Sequence, residues 1–441
     1  MTDRMLMVNS FDPQRESALN SADRDLVRRR SAAMGAAYRL FYDRPLHVVS
    51  AHGVTLVDDA GREYLDAYNN VPVVGHSNKR VRDAVHEQLG RLNTHTRYLT
   101  DEVVAYAEWL TALFPSPLDQ VIFTCTGSEA VDLALRVARA VTGRSGVIVT
   151  RHAYHGVTTA AAEVSPSFGP NNSIPDHVAL IDAPDSVRDG TTGPDEFARR
   201  TDAAVAELEA RGHRVAAVLI DSVLSSDGLQ LPDAAVLAAV RERARAHGAL
   251  YIADEVQSGF GRTGSHWWGF ERHGIDPDLV VLGKPMGNGI PIAGVVGRAA
   301  HFEAFGSQVR YFNTFGGNPV SIAAANAVLD EIEDRRLLEH ADALGRRMAI
   351  ELADRLAGES GVAEVRAAGL FLAVELVGDG DFPDPARTSR VVNLMREKQI
   401  LISASGTYDN VLKIRPPLVF PESSADHFLQ ALVESVAQSG R

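Results

Sequence analysis

One cysteine, Cys125, stands in this 441-residue chain. With no second thiol in the chain, no intramolecular disulfide can staple the fold. A solitary thiol fits a reducing cytoplasm. Long apolar runs are missing too, and no stretch approaches the ~20 apolar residues of a membrane helix. The start, MTDRMLMVNSFDPQRES, holds no apolar core long enough for a signal peptide. The expectation is a cytoplasmic chain with no membrane segment. Basic charge is scarce as well. The formal net charge is -13, and the nearest thing to a basic cluster is Val27-Arg28-Arg29-Arg30. Phosphate-backbone binding needs clustered Lys and Arg, so nucleic acid is not an expected partner. What is present is apolar material: 45% of the residues are hydrophobic. That is ample for a sizeable core in a chain too long for one small domain.

Residues 1 to about 25 are polar and aperiodic, which reads as a mobile arm or a partner-wrapping segment. A short basic helix and a hairpin follow, turning at Asp58-Asp59-Ala60-Gly61 between alternating apolar residues. The middle of the chain changes character. QVIFTCT precedes a helix at 128–142, and then come GVIVT (146–150), VALID (178–182), AAVLID (216–221), ALYIAD (249–254) and LVVLG (279–283). Helical stretches separate these runs. Unbroken apolar runs are strands covered on both faces, so the pattern is α/β with a parallel sheet. Ligands on such a sheet are expected at the carboxyl ends of the strands. After about residue 330 the pattern weakens to helices at 331–358, 385–398 and 423–437 with short strands at 370–376 and 412–416. The expected organisation is an N-terminal arm and small-domain segment (1–64), a large α/β domain (65–330) and a smaller α+β domain (331–441).

Chemistry-bearing residues gather at the predicted strand ends. In CTGSEAVDLALRVARAVTG, Thr126 and Glu129 read as a capping box around Gly127 and Ser128. Val131, Ala134, Leu135, Ala138 and Val141 share one helical face, and Gly143 closes the helix. A helix start of this kind suits either ordinary capping or a phosphate. RHAYHG places Tyr154 and His155 past the next strand, where an aromatic ring can stack on a planar ligand. His152 and His155 have metal-ligand spacing but no carboxylate or cysteine partner in sequence, so no metal is expected. In YIADEVQSGFGRTG, Asp254 and Glu255 end a solidly apolar strand, and Gln257 follows three residues on. Gly259, Gly261 and Gly264 spell a dinucleotide fingerprint, but SHWWGF follows instead of the helix that motif requires. LVVLGKPMGNG places one lysine, Lys284, at a strand end inside a glycine-rich bend. A phosphate-ready helix end, a stacking ring, an acid and a lysine on one sheet edge match pyridoxal phosphate. The lysine forms an imine with its aldehyde, and the acid keeps the ring nitrogen protonated.

At these residues the chain resembles the class III (subgroup II) aminotransferases of fold type I, along nearly its full length. CTGSEAVDLALRVAR, HAYHG, IADEVQSGFGRTG, GKPMGNG and FNTFGGNP occur in the family order. The resemblance implies a large domain with a mostly parallel seven-stranded sheet and a smaller α+β domain. It implies pyridoxal 5'-phosphate as cofactor, Lys284 as the Schiff-base lysine and Asp254 as the partner of the ring nitrogen. It makes Gln257 the donor to the ring hydroxyl, Gly127 and Ser128 the phosphate cup, and Tyr154 the stacking ring. Thr314 matches a threonine that reaches the other subunit's cofactor phosphate, which implies a homodimer with shared active sites. Arg415, in LKIRPPL, matches an arginine that in many members receives a substrate carboxylate.

One segment departs from most of the family. Where Glu-Pro-Val is usual, this chain reads Asp221-Ser222-Val223-Leu224-Ser225-Ser226. That departure, with YNNVPVVGH (68–76), LNTHTRYLTD (92–101) and the GNG after the lysine, resembles the ethanolamine-phosphate phospho-lyase branch. The implied reaction eliminates phosphate and ammonia from an amino-alcohol phosphate to give an aldehyde. The alternatives are an ω-aminotransferase passing an amino group to a keto acid, and a racemase on the same scaffold. A leaving phosphate needs cations, and Arg97, Arg262, Lys413 and Arg415 are candidates. Arg262 sits in a GRTG segment common to the family and reads as structural. Arg97 and Arg415 are the expected substrate-binding pair.

Overall fold

A computed structural model describes residues 7–189 and 193–440. Near the N-terminus, β1 (Val48–His52), β2 (Thr55–Asp58) and β3 (Glu63–Asp66) pair as antiparallel neighbours. Asp58 makes the predicted turn. Its Oδ1 accepts from the N–H of Ala60 (3.0 Å) and of Arg62 (2.9 Å), the local bonding that favours Asp in turns.

The central strands are β4 (Gln120–Thr124), β5 (Gly146–Thr150), β6 (Val178–Ile181), β7 (Val215–Asp221), β8 (Leu250–Asp254), β9 (Leu279–Leu282) and β10 (Ala293–Gly297). They form one seven-stranded sheet in the order β4-β10-β9-β8-β7-β5-β6. β10 runs antiparallel to both its neighbours, and the remaining pairings are parallel. The expected fold class holds. Sequence reading missed β10, because AGVVG is short and includes two glycines, Gly294 and Gly297. β7 shows why the runs are unbroken: Val218 and Ile220 enter one core, while Ala217 and Leu219 enter a second. The helix Gly127–Thr142 fills that second core, and helices Pro194–Ala210 and Ala234–Ala246 fill the first. Both faces are therefore dry, so both side-chain sets are apolar.

The C-terminal strands are β11 (Val362–Ala368), β12 (Phe371–Leu376), β13 (Ile400–Leu401), β14 (Ser403–Ser405) and β15 (Val411–Ile414). Four of them make an antiparallel sheet, β11-β12-β15-β14, and β13 pairs with β3 in parallel. The N-terminal hairpin thus joins its sheet to the far end of the chain.

Two expectations are corrected. The arm expected over residues 1–25 is docked from Asn9 onward. Asn9 Nδ2 donates to Ser403 Oγ (2.9 Å), Ser10 bridges Phe41, and Phe11 and Leu19 are buried. Residues 1–6 of that expectation lie outside the described residues. The helix expected over 331–358 is two helices, Pro319–Asp334 and Leu337–Leu356, separated at Arg336. Arg336 takes a left-handed conformation (φ 50°). Arginine is a good helix former, so propensity carried no stop signal there.

A tight seam joins the second helix to the central region. A Cβ on Gly345 would lie 2.0 Å from the carbonyl oxygen of Gly369, and one on Gly369 would lie 2.6 Å from that of Arg262. Arg262 is fully buried, as a structural residue should be. Its Nε donates to Asn70 Oδ1 (2.9 Å) and its Nη1 to the carbonyls of Leu370 (3.0 Å) and Pro416. Gly345→Ala is expected to destabilise the protein by about 2 kcal/mol, despite the better helix propensity of alanine, because backbone cannot yield as a side chain does. A urea midpoint equal to that of the unchanged protein would show that the seam relaxes freely.

Candidate active site

Strand register brings the acids and the lysine together. Asp221 ends β7 and Asp254 ends β8, and the two are directly paired; Asp254 also pairs with Val281 on β9. Lys284 follows two residues past the end of β9. Gly283, between them, lies against Val256, where a Cβ would come within 3.2 Å of a methyl group. A cavity of about 100 Å³ opens at these strand ends. Gly127, Ser128, Tyr154, Asp254, Gln257 and Lys284 line it, as expected from the sequence, joined by His155 and Asp221.

The Lys284 amine lies 5.9 Å from the centroid of the Tyr154 ring. Burial pushes its pKa down to about 8; nearby Arg415 adds to the drop, while Asp254 and Asp221 oppose it. Asp254 is held from two sides. Its Oδ2 meets His155 Nδ1 at 2.6 Å, and its Oδ1 accepts from the N–H of Val256 at 3.0 Å. The carboxylate keeps free lone pairs for a third donor. His155 is therefore committed to Asp254 and not to a His152 pair. Sequence reading weighed His155 only as a metal ligand, although its place in HAYHG, beside the stacking Tyr154, pointed at the same strand ends.

A second chain of polar contacts starts at Asp221. Its Oδ2 accepts from the Ser225 N–H (3.0 Å) and hydroxyl, Gln257 Nε2 donates to Ser225 Oγ, and Arg415 Nη1 donates to Gln257 Oε1. Burial and the neighbouring Asp254 push the Asp221 carboxyl upward. Asp221 and Ser225 both lie in the segment that departs from Glu-Pro-Val, but only the structure reveals that Ser225 joins the acid to Gln257.

The helix Gly127–Thr142 points its first turn at the cavity. Thr126 Oγ1 accepts from the Glu129 N–H (3.2 Å), but Glu129 bonds the Cys125 N–H (2.9 Å) and not that of Thr126, so the expected capping box is half made. Ser128 Oγ accepts from the N–H of Val157 (3.0 Å), tying the helix start to the loop after β5. Gly156 in that loop has φ 138°, and a Cβ there would lie 2.5 Å from Ser128 Oγ. Only glycine allows this approach. Amides at a helix start, with space cleared around them, suit a phosphate.

Two predicted residues lie elsewhere in this chain. Thr314 is exposed, in the segment after Asn313. Arg97 is exposed and stacks on Phe312, its Cζ 3.7 Å from the ring centroid. It borders a separate, shallow cavity of about 970 Å³ lined largely by apolar side chains such as Val103, Val104 and Phe302. That cavity is larger, but its lining among the described residues includes no lysine and no buried acid pair, whereas the smaller one has both. Lys413 and Arg415 are buried beside the smaller one.

The smaller cavity fits pyridoxal phosphate. A cleared helix start suits a phosphate, Asp254 keeps acceptor capacity for a ring N–H, and Lys284 offers the amine with which an aldehyde condenses. The fit is supported by comparison with known proteins. The aminotransferase class-III family profile matches residues 41–436. A Drosophila melanogaster protein named alanine–glyoxylate aminotransferase 2-like is 41% identical over 92% of this chain and 85% of its own length. The Caenorhabditis elegans ethanolamine-phosphate phospho-lyase homolog 1 is 34% identical, covering 92% of each. Among solved structures, a phospholyase from Arthrobacter in complex with phosphoethanolamine superposes with a TM-score of 0.90 at 45% identity, covering 94% of this chain and 99% of that one.

Proposed function

This chain belongs to the class-III aminotransferase family, and on that premise we propose that it is a phospho-lyase acting on ethanolamine phosphate or a similar amino-alcohol phosphate. The family works with pyridoxal phosphate, which when bound accepts the electron pair released beside the substrate nitrogen. The chain's residues do the rest. Lys284 holds the cofactor at rest and takes the proton from the carbon that bears nitrogen, a task suited to a base with a pKa of about 8. Asp254, steadied by His155 and the Val256 N–H, keeps the ring nitrogen protonated. Ser128 and the amides after Gly127 would hold the cofactor phosphate, Tyr154 would cover the ring, and Gln257 would reach the ring hydroxyl. As the proton leaves, the C–O bond on the adjacent carbon breaks and phosphate departs with its electron pair. Water then turns the remaining fragment into acetaldehyde and ammonia, so no keto acid enters.

The observation that carries this reading is the likeness, over nearly the whole chain, to a phospholyase solved with phosphoethanolamine. The test is direct: purified protein with ethanolamine phosphate and no keto acid should release phosphate and acetaldehyde in equal amounts. Amine transfer to pyruvate or 2-oxoglutarate without phosphate release would replace this reading with the ω-aminotransferase, which the alanine–glyoxylate relative favours. The active unit in this reading is a cytoplasmic homodimer. Thr314 and Arg97 support it: both lie outside their own chain's pocket, on a surface with exposed Tyr98, Leu99 and Phe315, and so are available to a partner's site.

The lowered basicity of Lys284 has a measurable sign. In the cofactor-free protein the folded state binds fewer protons than the unfolded one between about pH 8 and the ordinary lysine value of 10.5. Folding stability therefore rises with pH across that window, and the cost of the buried charge is felt in full below it. Only the neutral amine attacks an aldehyde, so cofactor capture by the cofactor-free protein should speed up with pH and level off above about 8. Stopped-flow absorbance measures this; a midpoint near the ordinary lysine value would contradict it.

A further inference from the structure

Two buried cations beside the cofactor pocket have no anion of their own. Lys413 lies on β15 and Arg415 just past its end, so the two side chains share one face of the strand. Both are buried. Both approach the same ring, with Lys413 Nζ 5.7 Å and Arg415 Cζ 5.6 Å from the Phe371 centroid. Arg415 also lies over Tyr68, 4.7 Å from its centroid. Their hydrogen-bond acceptors are neutral: Lys413 Nζ donates to the Ser225 carbonyl (3.2 Å), and Arg415 Nη1 donates to Gln257 Oε1. Arg415 Nε is buried with no partner at all.

Neighbouring carboxylates are already engaged. Asp221 takes the Ser225 hydroxyl and the N–H groups of Val223 and Ser225. Asp227 takes the Thr150 hydroxyl (2.8 Å). Asp66 takes His76 and the N–H groups of Tyr68 and Asn69. Neither cation forms an ion pair among the described residues. Burial, with Arg415 next to it, drives the Lys413 amine well below its ordinary basicity. Adjacent buried charges of one sign are costly until an anion joins them.

We propose that Lys413 and Arg415 together seat the substrate's phosphate, and that Lys413 is the residue that selects a phosphate over a carboxylate. This rests on the lyase reading and names the seat its substrate needs. A single arginine matches a carboxylate, one negative charge in forked contact. A phosphate monoester carries close to ~2 negative charges at neutral pH, so a second cation on the same face adds most for it. The seat is built within one chain and does not draw on Arg97, which lies outside this pocket against Phe312.

The test uses the cofactor-loaded protein and three variants, Lys413→Met, Lys413→Gln and Lys413→Arg, with visible absorbance confirming that each holds its cofactor. Inorganic phosphate is titrated calorimetrically, and KM and kcat are measured with ethanolamine phosphate. Lys413→Met and Lys413→Gln should weaken phosphate binding and raise KM by roughly 10- to 100-fold, the worth of one charge-assisted bond, with a smaller fall in kcat. Lys413→Arg keeps the charge and should restore most of the affinity. A merely structural lysine, tied to the Ser225 carbonyl, would not move phosphate affinity. Unchanged phosphate affinity in the Met and Gln variants overturns the seat, as does an Arg variant as weak as the Met variant. If the unchanged protein binds phosphate through Lys413 yet releases none from ethanolamine phosphate, the lyase reading falls and the seat stands. If it releases phosphate and the neutral variants bind as before, the seat falls and the reading stands.

Discussion

Lys284→Ala is expected to lower the rate of phosphate release by about 10⁴-fold or more, equivalent to about 5 kcal/mol of barrier. One side chain is asked for two things, the covalent hold on the cofactor and the transfer of a proton, and alanine supplies neither. The visible absorbance of the lysine-bound cofactor should vanish from the purified variant. Fold stability should not fall with it. The amine is buried next to Arg415 and its pKa is pushed down to about 8, so the charge is a burden that alanine removes. Thermal unfolding of the cofactor-free variant at pH 7 should therefore match or exceed that of the cofactor-free parent. A variant that keeps the visible band would show that another amine holds the cofactor, and the assignment of Lys284 would be lost.

Asp254→Asn is expected to bind cofactor within about tenfold of the parent while turnover falls on the order of 10³-fold, the scale seen when a charge-stabilising group is removed. The amide fills the same space at the end of β8, but it cannot hold a proton on the ring nitrogen. His155→Leu should be milder than either, with turnover down by roughly tenfold to a hundredfold, the range for a residue that orients another. It deletes the 2.6 Å contact to Asp254 Oδ2 and leaves the Val256 N–H in place. Steady-state kinetics with matched cofactor titrations separates turnover from binding. If Asp254→Asn turns over at the parent rate, the acid is structural and the charge on the ring is sustained by something else.

The sheet was legible in the sequence because β5, β7, β8 and β9 are covered on both faces and therefore carry no polar alternation to confuse the reading. β10 was not, since two of the five residues of AGVVG are glycine, which leaves too few side chains to announce a strand. The break at Arg336 escaped because a helix-favouring residue adopts the left-handed turn. Within the site, residues that end strands could be read from position: Asp254 and Lys284 each close an apolar run. Contacts made across the sheet could not. His155 reaches Asp254 over a separation of 99 residues, and Ser225 links Asp221 to a glutamine 32 residues away. Nothing in local spacing encodes such distances. Arg97 was singled out by its neighbourhood in sequence, and spacing could not show that its side chain packs on Phe312, outside the pocket of its own chain.

The hairpin of β14 and β15 sets Ser403 opposite Lys413 and Ser405 opposite Val411, leaving five residues, 406–410, to turn the chain. In a strand, sliding by one position exchanges the two faces. β15 is also held on its other side by β12, where Ala373 faces Lys413 and Leu372 faces Ile414. One residue more or less in the turn is therefore absorbed by the turn itself. Only a one-residue slip of β15 against both neighbours would carry Lys413 and Arg415 away from the pocket and bring Leu412 and Ile414 round in their stead, turning a cationic wall into an oily one.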